Sequence, residues 1–483
     1  MKKQLPVISL ILRLALMIVS IPCFAQKKPA QASYQWKAGV AKININPPLN
    51  MWMGGFASRT HPATGRLTDI WAKALALQDE NGKKVVFVGM DLGGIREGVS
   101  LHVRSAIKKK YGLENDQIML NCSHNHSGPT TNLNMEPGLC GCYGEDMQKM
   151  IVDYTKDLEL KLIKVIGDAL ESLKPAKVFS GNGMTKFAVN RRSTPEEAVL
   201  WKSFSLEGPN DFSVPVIKVV DEHNNINAIL FGYACHNTTL HAYLWSGDYA
   251  GYAQIDLEKA YPGATAIFFQ GAGGDQNPLP RDRVALAKQY GGELALAVET
   301  VIEDSEKVMK PLISKAVTGY KEFNLHLAKE PPTREELIKI INDTTASRMA
   351  AYEIIRAQKR LKTYDEVGKL RDTFPYPIMV WRLGDQAIFG LAGELVVSYA
   401  INIKEIYGLD AFVFGYTTYT RELNYIPTTA MFHEGNYEVL YGGQFLTPWE
   451  FDIETKIMSH TIELATKVGI PKTTWVNAEN RYK

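Results

Sequence analysis

The pair His124 and His126 stands out because histidine is scarce, with ten in the whole chain of 483 residues. One position separates the two residues in the stretch NCSHNHSGP, so on an extended backbone both side chains point to the same face, with Asn125 opposite. Imidazole nitrogens bind transition metals and exchange protons near neutral pH. The spacing alone leaves three interpretations open: metal ligands, a catalytic acid/base pair, or a polar turn.

Two further polar residues follow apolar segments in the same way. His236 comes directly after FGYAC, and Glu394 follows GLAG ahead of a predicted helix. Taken alone, Glu394 is typical of a helix-capping or surface carboxylate, and His241 of an ordinary exposed side chain. Taken with His124, however, His236 and Glu394 form a His2Glu set of the kind that binds zinc. Such a site, with an open position, would activate water for attack on a carbonyl group.

A Gly-rich turn, QGAGGDQNP, follows the apolar stretch ATAIFF. Its glycines would let backbone N–H groups approach a ligand closely, as in anion and oxyanion sites. No Lys-Ser or Lys-Thr follows the turn, so it is not a phosphate-binding P-loop. We therefore expect Gly273, Gly274 and Asp275 to contact substrate.

These polar residues require strands that end close together, and the hydrophobic pattern predicts such strands. Apolar or alternating stretches predict strands at 36–48, 71–79 and 84–94 and before each polar loop. Helices are expected over the segment that ends at Gly112 and near 143–173, 332–361 and 453–468. The segment 332–361 is expected to be a surface insertion. The alternation predicts an α/β (α+β) fold with a large mixed β-sheet core flanked by helices, and ligands at the strand ends.

Charge and the N-terminus narrow the class of protein. The chain has 54 basic and 52 acidic residues without a run of like charges, which argues against a nucleic-acid partner. Residues 1–25 predict a signal peptide cleaved after Ala25, with an uncleaved anchor and a lipoprotein Cys23 as weaker alternatives. We expect a secreted or periplasmic protein with no transmembrane span in the mature chain. Residues 26–483 are expected to form a single domain.

The cysteines do not indicate a disulfide framework, because four thiols follow residue 25 in a long chain. Cys140 and Cys142 are too close in sequence for an unstrained disulfide. Cys122 and Cys235 are interpreted as small packing residues.

From about Trp36 to Val468 the chain resembles the neutral/alkaline non-lysosomal ceramidases. The resemblance rests on the common order of many segments, no one of which is specific by itself. It implies the ceramidase catalytic fold and hydrolysis of an amide (N-acyl) bond. The chain ends shortly after ELATKVGIPKTTWV, so we expect it to lack the immunoglobulin-like C-terminal domain of that family. The matching segments are AGVAKININPP, MGGFASRT, TGRLTDIWAKALAL, VVFVGMDLGGI, NCSHNHSGP, VNRRSTP, ACHNTTL, SGDYAGYA, QGAGGDQNP, GLAGELVVS and ELNYIPTTAMFHEGNYEVLYGG.

The resemblance also implies the metal site. One zinc ion per chain would be bound by His124, His236, Glu394 and Tyr425. His126 would then be a neighbour that transfers protons rather than a ligand.

Two more positions match residues that act on substrate in the family. Arg191 corresponds to an arginine that contacts substrate, with Arg192 as the adjacent alternative, and Tyr437 to a tyrosine that stabilises the developing oxyanion. For Tyr425 and Tyr437 alike, packing under a loop is the ordinary alternative.

One position departs from the family. Its Gly-rich loop ends Gly-Asp-x-Ser-Pro, whereas GGDQNP places Asn277 at the serine. Asparagine is not a hydroxyl nucleophile, but its amide can donate a hydrogen bond to an oxyanion or orient a substrate. We therefore expect a zinc-water mechanism rather than a covalent acyl-serine.

The expected function is that of a secreted zinc-dependent hydrolase that cleaves the amide bond of ceramide or another N-acyl compound. Three alternatives remain open: an esterase or deacetylase acting on acylated sugars, a zinc-binding accessory protein without turnover, and a phosphate or sulfate ester hydrolase. The last lacks the Asp-rich cluster of two-metal phosphatases. A retained proton-transfer residue at His126 favours an enzyme over an accessory protein. The substrate is a small molecule or lipid, and the sequence does not indicate the oligomeric state.

Overall fold

The computed structural model describes residues 35–134, 144–194, 196, 208–343, 348–440 and 442–473. The predicted signal peptide and the pair Cys140 and Cys142 lie outside these ranges. Cys122 and Cys235 are both buried and unbridged, as expected of packing residues. The fold is the predicted mixed α/β arrangement of a large sheet and flanking helices.

The secondary structure alternates between strands and helices along the chain. The strands are β1 Trp36–Asn44, β2 Gly65–Arg66, β3 Trp71–Gln78, β4 Lys84–Met90, β5 Ile118–Cys122, β6 Lys174–Met184, β7 Ala188–Asn190, β8 Ser213–Val220, β9 Ile226–Tyr233, β10 Leu244–Trp245, β11 Thr265–Gln270, β12 Gln276–Pro278, β13 Lys310–Pro311, β14 Ala316–His326, β15 Thr373–Leu383, β16 Gln386–Leu391, β17 Glu394–Leu395, β18 Phe412–Phe414 and β19 Tyr425–Ile426. The helices are α1 Glu97–Tyr111, α2 Glu145–Glu171, α3 Asp248–Ala260, α4 Val284–Glu303, α5 Ser305–Val308, α6 Arg334–Ile341, α7 Arg348–Val367, α8 Val397–Tyr407, α9 Thr429–Glu434, α10 Tyr437–Leu440 and α11 Ile453–Val468. In the described part of the chain, no helix is both long and apolar enough to cross a membrane.

The larger sheet has nine strands in the order β11-β9-β8-β6-β1-β3-β4-β5, with β13 paired to β6. Its pairs β4–β5 and β9–β11 are parallel and the others antiparallel. Strand β4 is buried over all but its first residue, as its continuous apolar sequence predicts. Helices α1 and α2 pack on the half of the sheet around β4, and α3 and α4 on the half around β9.

The second sheet has four strands in the order β14-β15-β16-β18. Aromatic side chains from both sheets meet in one core, where the Phe87 ring lies 4.9 Å from that of Trp381 and the Phe269 ring 5.1 Å from that of Phe414. Helices α8 and α11 cover the other face of this sheet. The result is a helix–sheet–sheet–helix arrangement, in which each sheet buries both faces.

The two edges of the larger sheet approach each other at the ends of β5 and β11. The Gln270 backbone N–H donates to Asn121 Oδ1 at 2.8 Å, and Asn121 Nδ2 donates to the carbonyl of Gly415 at 2.8 Å. Since β5 and β11 stand at opposite ends of the strand order, the bond between Gln270 and Asn121 requires a strongly curved sheet. The curvature brings the loops after β5, β9 and β11 together with the segments after β16 and β18.

Most predicted elements are confirmed, and the structure adds a role to one of them. Helix α1 ends before Gly112, whose φ of 72° is left-handed, and α11 has the predicted bounds. The segment 332–361 contains two helices, and it is not merely a surface insertion. Arg360 on α7 is buried and donates to the carbonyls of Gln444 at 2.9 Å and Phe445 at 2.8 Å. The insertion therefore supports the loop that follows α10.

Candidate metal centre

His124 lies directly beyond β5 with an unusual backbone conformation. Its φ of 57° falls in the left-handed region, which residues with a Cβ rarely adopt. Nδ1 of its ring lies 2.7 Å from the carbonyl oxygen of Gly93. Because a carbonyl oxygen only accepts hydrogen bonds, Nδ1 must carry the hydrogen, and in the neutral ring Nε2 then presents a lone pair.

His236 is oriented in the same way from the other edge of the sheet. It follows β9, and its Nδ1 donates to the carbonyl of Gly273 at 2.6 Å. Burial is the largest cause that lowers the pKa of His236, to about 4, so the ring is neutral at physiological pH. Its Nε2 therefore also presents a lone pair, and its ring centroid lies 4.8 Å from that of His124.

Glu394 and Tyr425 complete the cluster from the other side. They are paired residues of the parallel strands β17 and β19. Glu394 Oε2 lies 3.2 Å from His124 Nε2 and 3.5 Å from His236 Nε2, and the Tyr425 hydroxyl lies 3.5 Å from the same His236 nitrogen. The structure thus brings together all four residues that the sequence predicts as metal ligands.

This donor set fits a metal ion. Two imidazole lone pairs face a buried carboxylate oxygen, and Glu394 Oε2 lacks a hydrogen-bond partner of good geometry among the described residues. Electron-rich atoms at such distances repel each other unless a cation or proton lies between them. The side-chain nitrogens of His124, His126 and His236 also form a possible metal-binding group, with all ligand atoms within 4.8 Å of one another. Nitrogen and carboxylate ligands suit zinc and related divalent ions.

His126 lies beside this cluster at the wall of a cavity. Its Nε2 is 3.2 Å from His124 Nε2, and its buried Nδ1 has no partner among the described residues. Burial and the neighbouring His124 and His236 hold its pKa well below the usual value for histidine. The position suits either proton transfer or metal binding, and the predicted proton-transfer role remains a prediction.

Gly55 leaves the space that His126 occupies. A Cβ at residue 55 would lie 2.6 Å from Cβ of His126, and the φ of 93° already disfavours other residues. We expect Gly55→Ala to displace the His126 ring and to reduce hydrolysis about 100-fold, the size of a lost general acid/base contribution. Metal content, measured by elemental analysis, should stay within about twofold of wild type.

The matched control is Gly82→Ala. Gly82 has a similar φ of 86°, but the nearest neighbour of a Cβ there would be the flexible end of Gln78 at 3.8 Å. Equal activity losses in both variants would mean that backbone strain, not displacement of His126, causes the effect.

A cavity of about 470 Å³ opens beside the metal cluster and contains the other predicted catalytic residues. Arg191 lines it, donates from Nε to Glu438 at 2.9 Å, and lies 5.3 Å from the ring of Tyr425. Tyr437 lies at the mouth with 44% of its surface exposed, and its ring is 5.3 Å from that of Tyr425. Asn277 is 5% exposed and its Oδ1 is 3.5 Å from Nη1 of Arg191.

Backbone N–H groups of the Gly-rich turn are bonded within the protein, and the substrate contacts of Gly273, Gly274 and Asp275 stay predictions. The Gly274 N–H donates to the carbonyl of Leu395 at 2.8 Å, and the Gly273 N–H to that of Gly271 at 2.9 Å. Neither N–H is therefore available to a substrate oxyanion in this structure. The glycines instead allow close packing, because a Cβ on Gly274 would lie 2.6 Å from the carbonyl oxygen of Glu394.

Asp275 also serves the framework rather than the cavity. Its carboxylate accepts hydrogen bonds from the backbone of Val397 at 2.8 Å and from Asn190 Nδ2 at 3.0 Å. Burial raises its pKa to about 6. Asp275 is absent from the described lining of the cavity beside the metal cluster, so a direct contact with substrate there is not supported.

Two residues of the site were not predicted from the sequence. Glu438 binds Arg191 and also accepts from Arg192 Nη1 at 2.7 Å, so it anchors both arginines. The buried Tyr416 has its ring 4.5 Å from that of His124 and a hydroxyl without a partner among the described residues. Glu438 could have been predicted, because it directly follows the predicted residue Tyr437. For Tyr416 the sequence offers no indication beyond its place in a Tyr-rich segment.

Comparison with known proteins identifies relatives of this chain. The family profile described as neutral/alkaline non-lysosomal ceramidase, N-terminal, matches residues 36–280. The chain is similar to neutral ceramidase of Pseudomonas aeruginosa, with 26% identity over 56% of this chain and 40% of that protein. It is also similar to neutral ceramidase of Drosophila pseudoobscura, with 27% identity over 48% of this chain and 33% of that protein. The sequence matches thus span well under half the length of these relatives.

The fold is shared over a longer range. The crystal structure of neutral ceramidase from Pseudomonas aeruginosa superposes with a TM-score of 0.67 at 18% identity, over 92% of this chain and 76% of that one. A ceramidase structure described as complexed with C2 gives a TM-score of 0.68 over 92% and 77% of the two chains. Because the family profile covers half of the sequence and includes His124, His126 and His236, the chain belongs to the neutral/alkaline non-lysosomal ceramidase family.

Proposed function

We propose that this protein is a zinc-dependent amidohydrolase that cleaves an N-acyl bond, with one metal ion bound by His124, His236, Glu394 and Tyr425. The observation that carries the proposal is the fixed orientation of two imidazoles. Backbone carbonyls hold the Nδ1 hydrogens of His124 and His236, so that both Nε2 lone pairs face Glu394. A hydrogen bond from the ring nitrogen that faces away from the metal to a backbone carbonyl is typical of metal-binding histidines.

A zinc ion bound there would supply Lewis-acid polarisation of the scissile carbonyl and activation of water. His126 is placed to move protons, because its ring lines the cavity next to the cluster. Arg191, held by Glu438, and the Tyr437 hydroxyl would bind and orient the amide, since both residues line the same cavity. The neutral amine leaving group requires one proton, which His126 can deliver.

The family relationship supports hydrolysis of an amide, since the relatives are named neutral ceramidases. Export also belongs to the proposal and rests on the lysines, apolar run and small residues of positions 1–25.

The direct test is to purify the mature protein, measure its metal content and assay it on N-acyl lipids, N-acyl amino acids and N-acetyl sugars. We expect one zinc ion per chain and release of free amine from at least one class. His124→Ala should remove both metal and activity. Full metal loading with no hydrolysis of any amide would instead favour a metal-binding accessory protein.

Asn277 offers a sharper test of mechanism. The oxygen of its amide faces Arg191, which leaves the NH2 group to face the cavity as a donor. We expect Asn277→Ala to lower kcat roughly 100-fold with KM little changed, as for loss of one oxyanion donor. Asn277→Ser, which restores the hydroxyl of the family, should retain more activity than Asn277→Ala. Wild-type kcat in the alanine variant would remove Asn277 from the mechanism.

A further inference from the structure

The wall of the cavity is unusually polar for a lipid-binding site. Five charged side chains line it: Arg191, Arg192, Arg281, Glu196 and Glu438. Among the described residues of the lining, the one purely aliphatic side chain is that of Ala57, and the aromatic ones are Phe56, Tyr425 and Tyr437. Small-molecule sites are usually lined mainly by apolar groups with few polar ones. Here polar groups contribute about as much of the described lining as apolar groups do.

The charges in this wall neutralise one another. Arg281 forms two hydrogen bonds of 2.7 Å with the carboxylate of Glu196. Arg192 bonds Glu438 at 2.7 Å as well as Glu434. The three arginines of the wall thus pair with Glu196 and Glu438 in the wall and with Glu434 outside it, so little net charge is left to attract an anionic substrate. The wall instead presents many hydrogen-bonding groups, which suits a neutral substrate rich in hydroxyl groups.

Thr238 provides an unused hydrogen-bonding group next to the metal cluster. It lies two residues after His236, lines the cavity and is 2% exposed. Its Oγ1 has no hydrogen-bond partner among the described residues. A buried hydroxyl without a partner is destabilising, so a substrate hydroxyl that bonds to it would gain affinity and specificity.

A long alkyl chain gains little from such a wall. Each methylene of an alkyl chain is stabilised by transfer from water to apolar surroundings. Against paired arginines and glutamates the chain would instead remove polar groups from water without replacing their hydrogen bonds, which costs free energy. The cavity is therefore suited to a short acyl group.

We propose that the site acts on a short-acyl amide of a neutral polyhydroxylated molecule, an N-acetylated amino sugar, and that the Thr238 hydroxyl is a specificity-determining contact for a sugar hydroxyl. This inference rests on the proposed amide hydrolysis. The amide C–N bond is cleaved, water supplies OH to the acyl carbon and a proton to the nitrogen, and the products are acetate and a free amino sugar.

The test compares three substrates on the zinc-loaded protein: an N-acetylglucosamine oligosaccharide, C16-ceramide in detergent micelles, and 4-nitroacetanilide, a short-acyl amide without hydroxyls. We expect kcat/KM for the sugar to exceed that for ceramide at least 100-fold. Thr238→Val keeps the shape of the side chain and removes its hydroxyl. It should lower kcat/KM about tenfold more for the sugar than for 4-nitroacetanilide, at unchanged metal content. Thr300→Val, on the exposed side of α4, controls for any general effect of a Thr-to-Val substitution on purification and stability.

The outcomes separate this inference from the proposed function. Hydrolysis of ceramide without hydrolysis of the sugar overturns the inference and leaves the amidohydrolase proposal in place. Equal losses for both short-acyl substrates in Thr238→Val exclude Thr238 as a specificity contact. Failure of the zinc-loaded protein on all three amides contradicts both proposals.

Discussion

Replacement of Glu394 by glutamine is expected to abolish tight metal binding and to reduce amide hydrolysis on the order of a thousandfold. The substitution preserves the shape of the side chain but removes the negative charge that faces two imidazole lone pairs. Loss of Lewis-acid catalysis worth several kcal/mol corresponds to an effect of that size. Elemental analysis after gel filtration, together with amide hydrolysis, measures both quantities.

The same variant should behave differently from wild type when the metal is removed. Glu394 Oε2 lies 3.2 Å from His124 Nε2 without a good hydrogen bond, so removal of a metal ion would leave these two electron-rich atoms facing each other. The NH2 group of glutamine can donate to that nitrogen, so metal-free Glu394→Gln should unfold at the same or a higher temperature than the metal-free wild type. A chelator should lower Tm of the wild type and leave that of the variant unchanged, since a bound ligand stabilises only a protein that binds it.

Glu80→Gln is the matched control, because Glu80 is exposed and its backbone N–H donates to the carbonyl of Ser314. This variant should keep the metal, the activity and the chelator-dependent Tm of the wild type. A stoichiometric metal ion in Glu394→Gln would exclude Glu394 as an essential ligand.

Gly274→Ala is expected to lower the free energy of unfolding by about 2–4 kcal/mol and to weaken metal binding 10- to 100-fold. A Cβ at this position would lie 2.6 Å from the carbonyl oxygen of Glu394 and 2.9 Å from that of Leu395. Both obstacles are backbone atoms, so the segment that carries Glu394 must move. Displacement of a metal ligand then accompanies the loss of stability. Denaturant unfolding and metal titration measure the two effects.

Gly292→Ala on α4 is the control for a glycine substitution as such. Its nearest neighbour for a Cβ is Asp256 Oδ2 at 3.9 Å, and alanine favours a helix over glycine. This variant should be at least as stable as wild type. If Gly274→Ala binds metal as tightly as Gly292→Ala does, Gly274 does not position Glu394.

The fold was largely predictable where hydrophobic periodicity is strong. β4 is a continuous apolar segment, and α11 has apolar residues at helical spacing, so both were located from the sequence. The curvature of the large sheet was not predictable, because it depends on contacts such as Asn121 with Gln270, 149 positions apart. The role of α7 was missed for the same reason. A buried Arg360 in a polar helix has no local signature, and its partners lie 84 and 85 residues away.

The four predicted ligands came from placement and family resemblance, and the structure adds what spacing cannot show. Which nitrogen of His124 or His236 faces the site depends on the carbonyls of Gly93 and Gly273, which belong to other loops. The Gly-rich turn illustrates the opposite case. Glycine permits close approach by any group, and at Gly274 the group that approaches is the backbone at Glu394 and Leu395, not a ligand.

The origin of the proposed ligands in two different sheets has a consequence for assembly. His124 and His236 follow strands of the nine-stranded sheet, whereas Glu394 and Tyr425 follow strands of the second sheet. A metal ion between His124 and Glu394 would act as a cross-link that closes a loop of 270 residues (394 − 124). Such a link forms only after the two sheets have docked, and it then opposes their separation. Were the chain exported unfolded, as the proposed signal peptide would allow, metal binding would follow both translocation and docking of the two sheets.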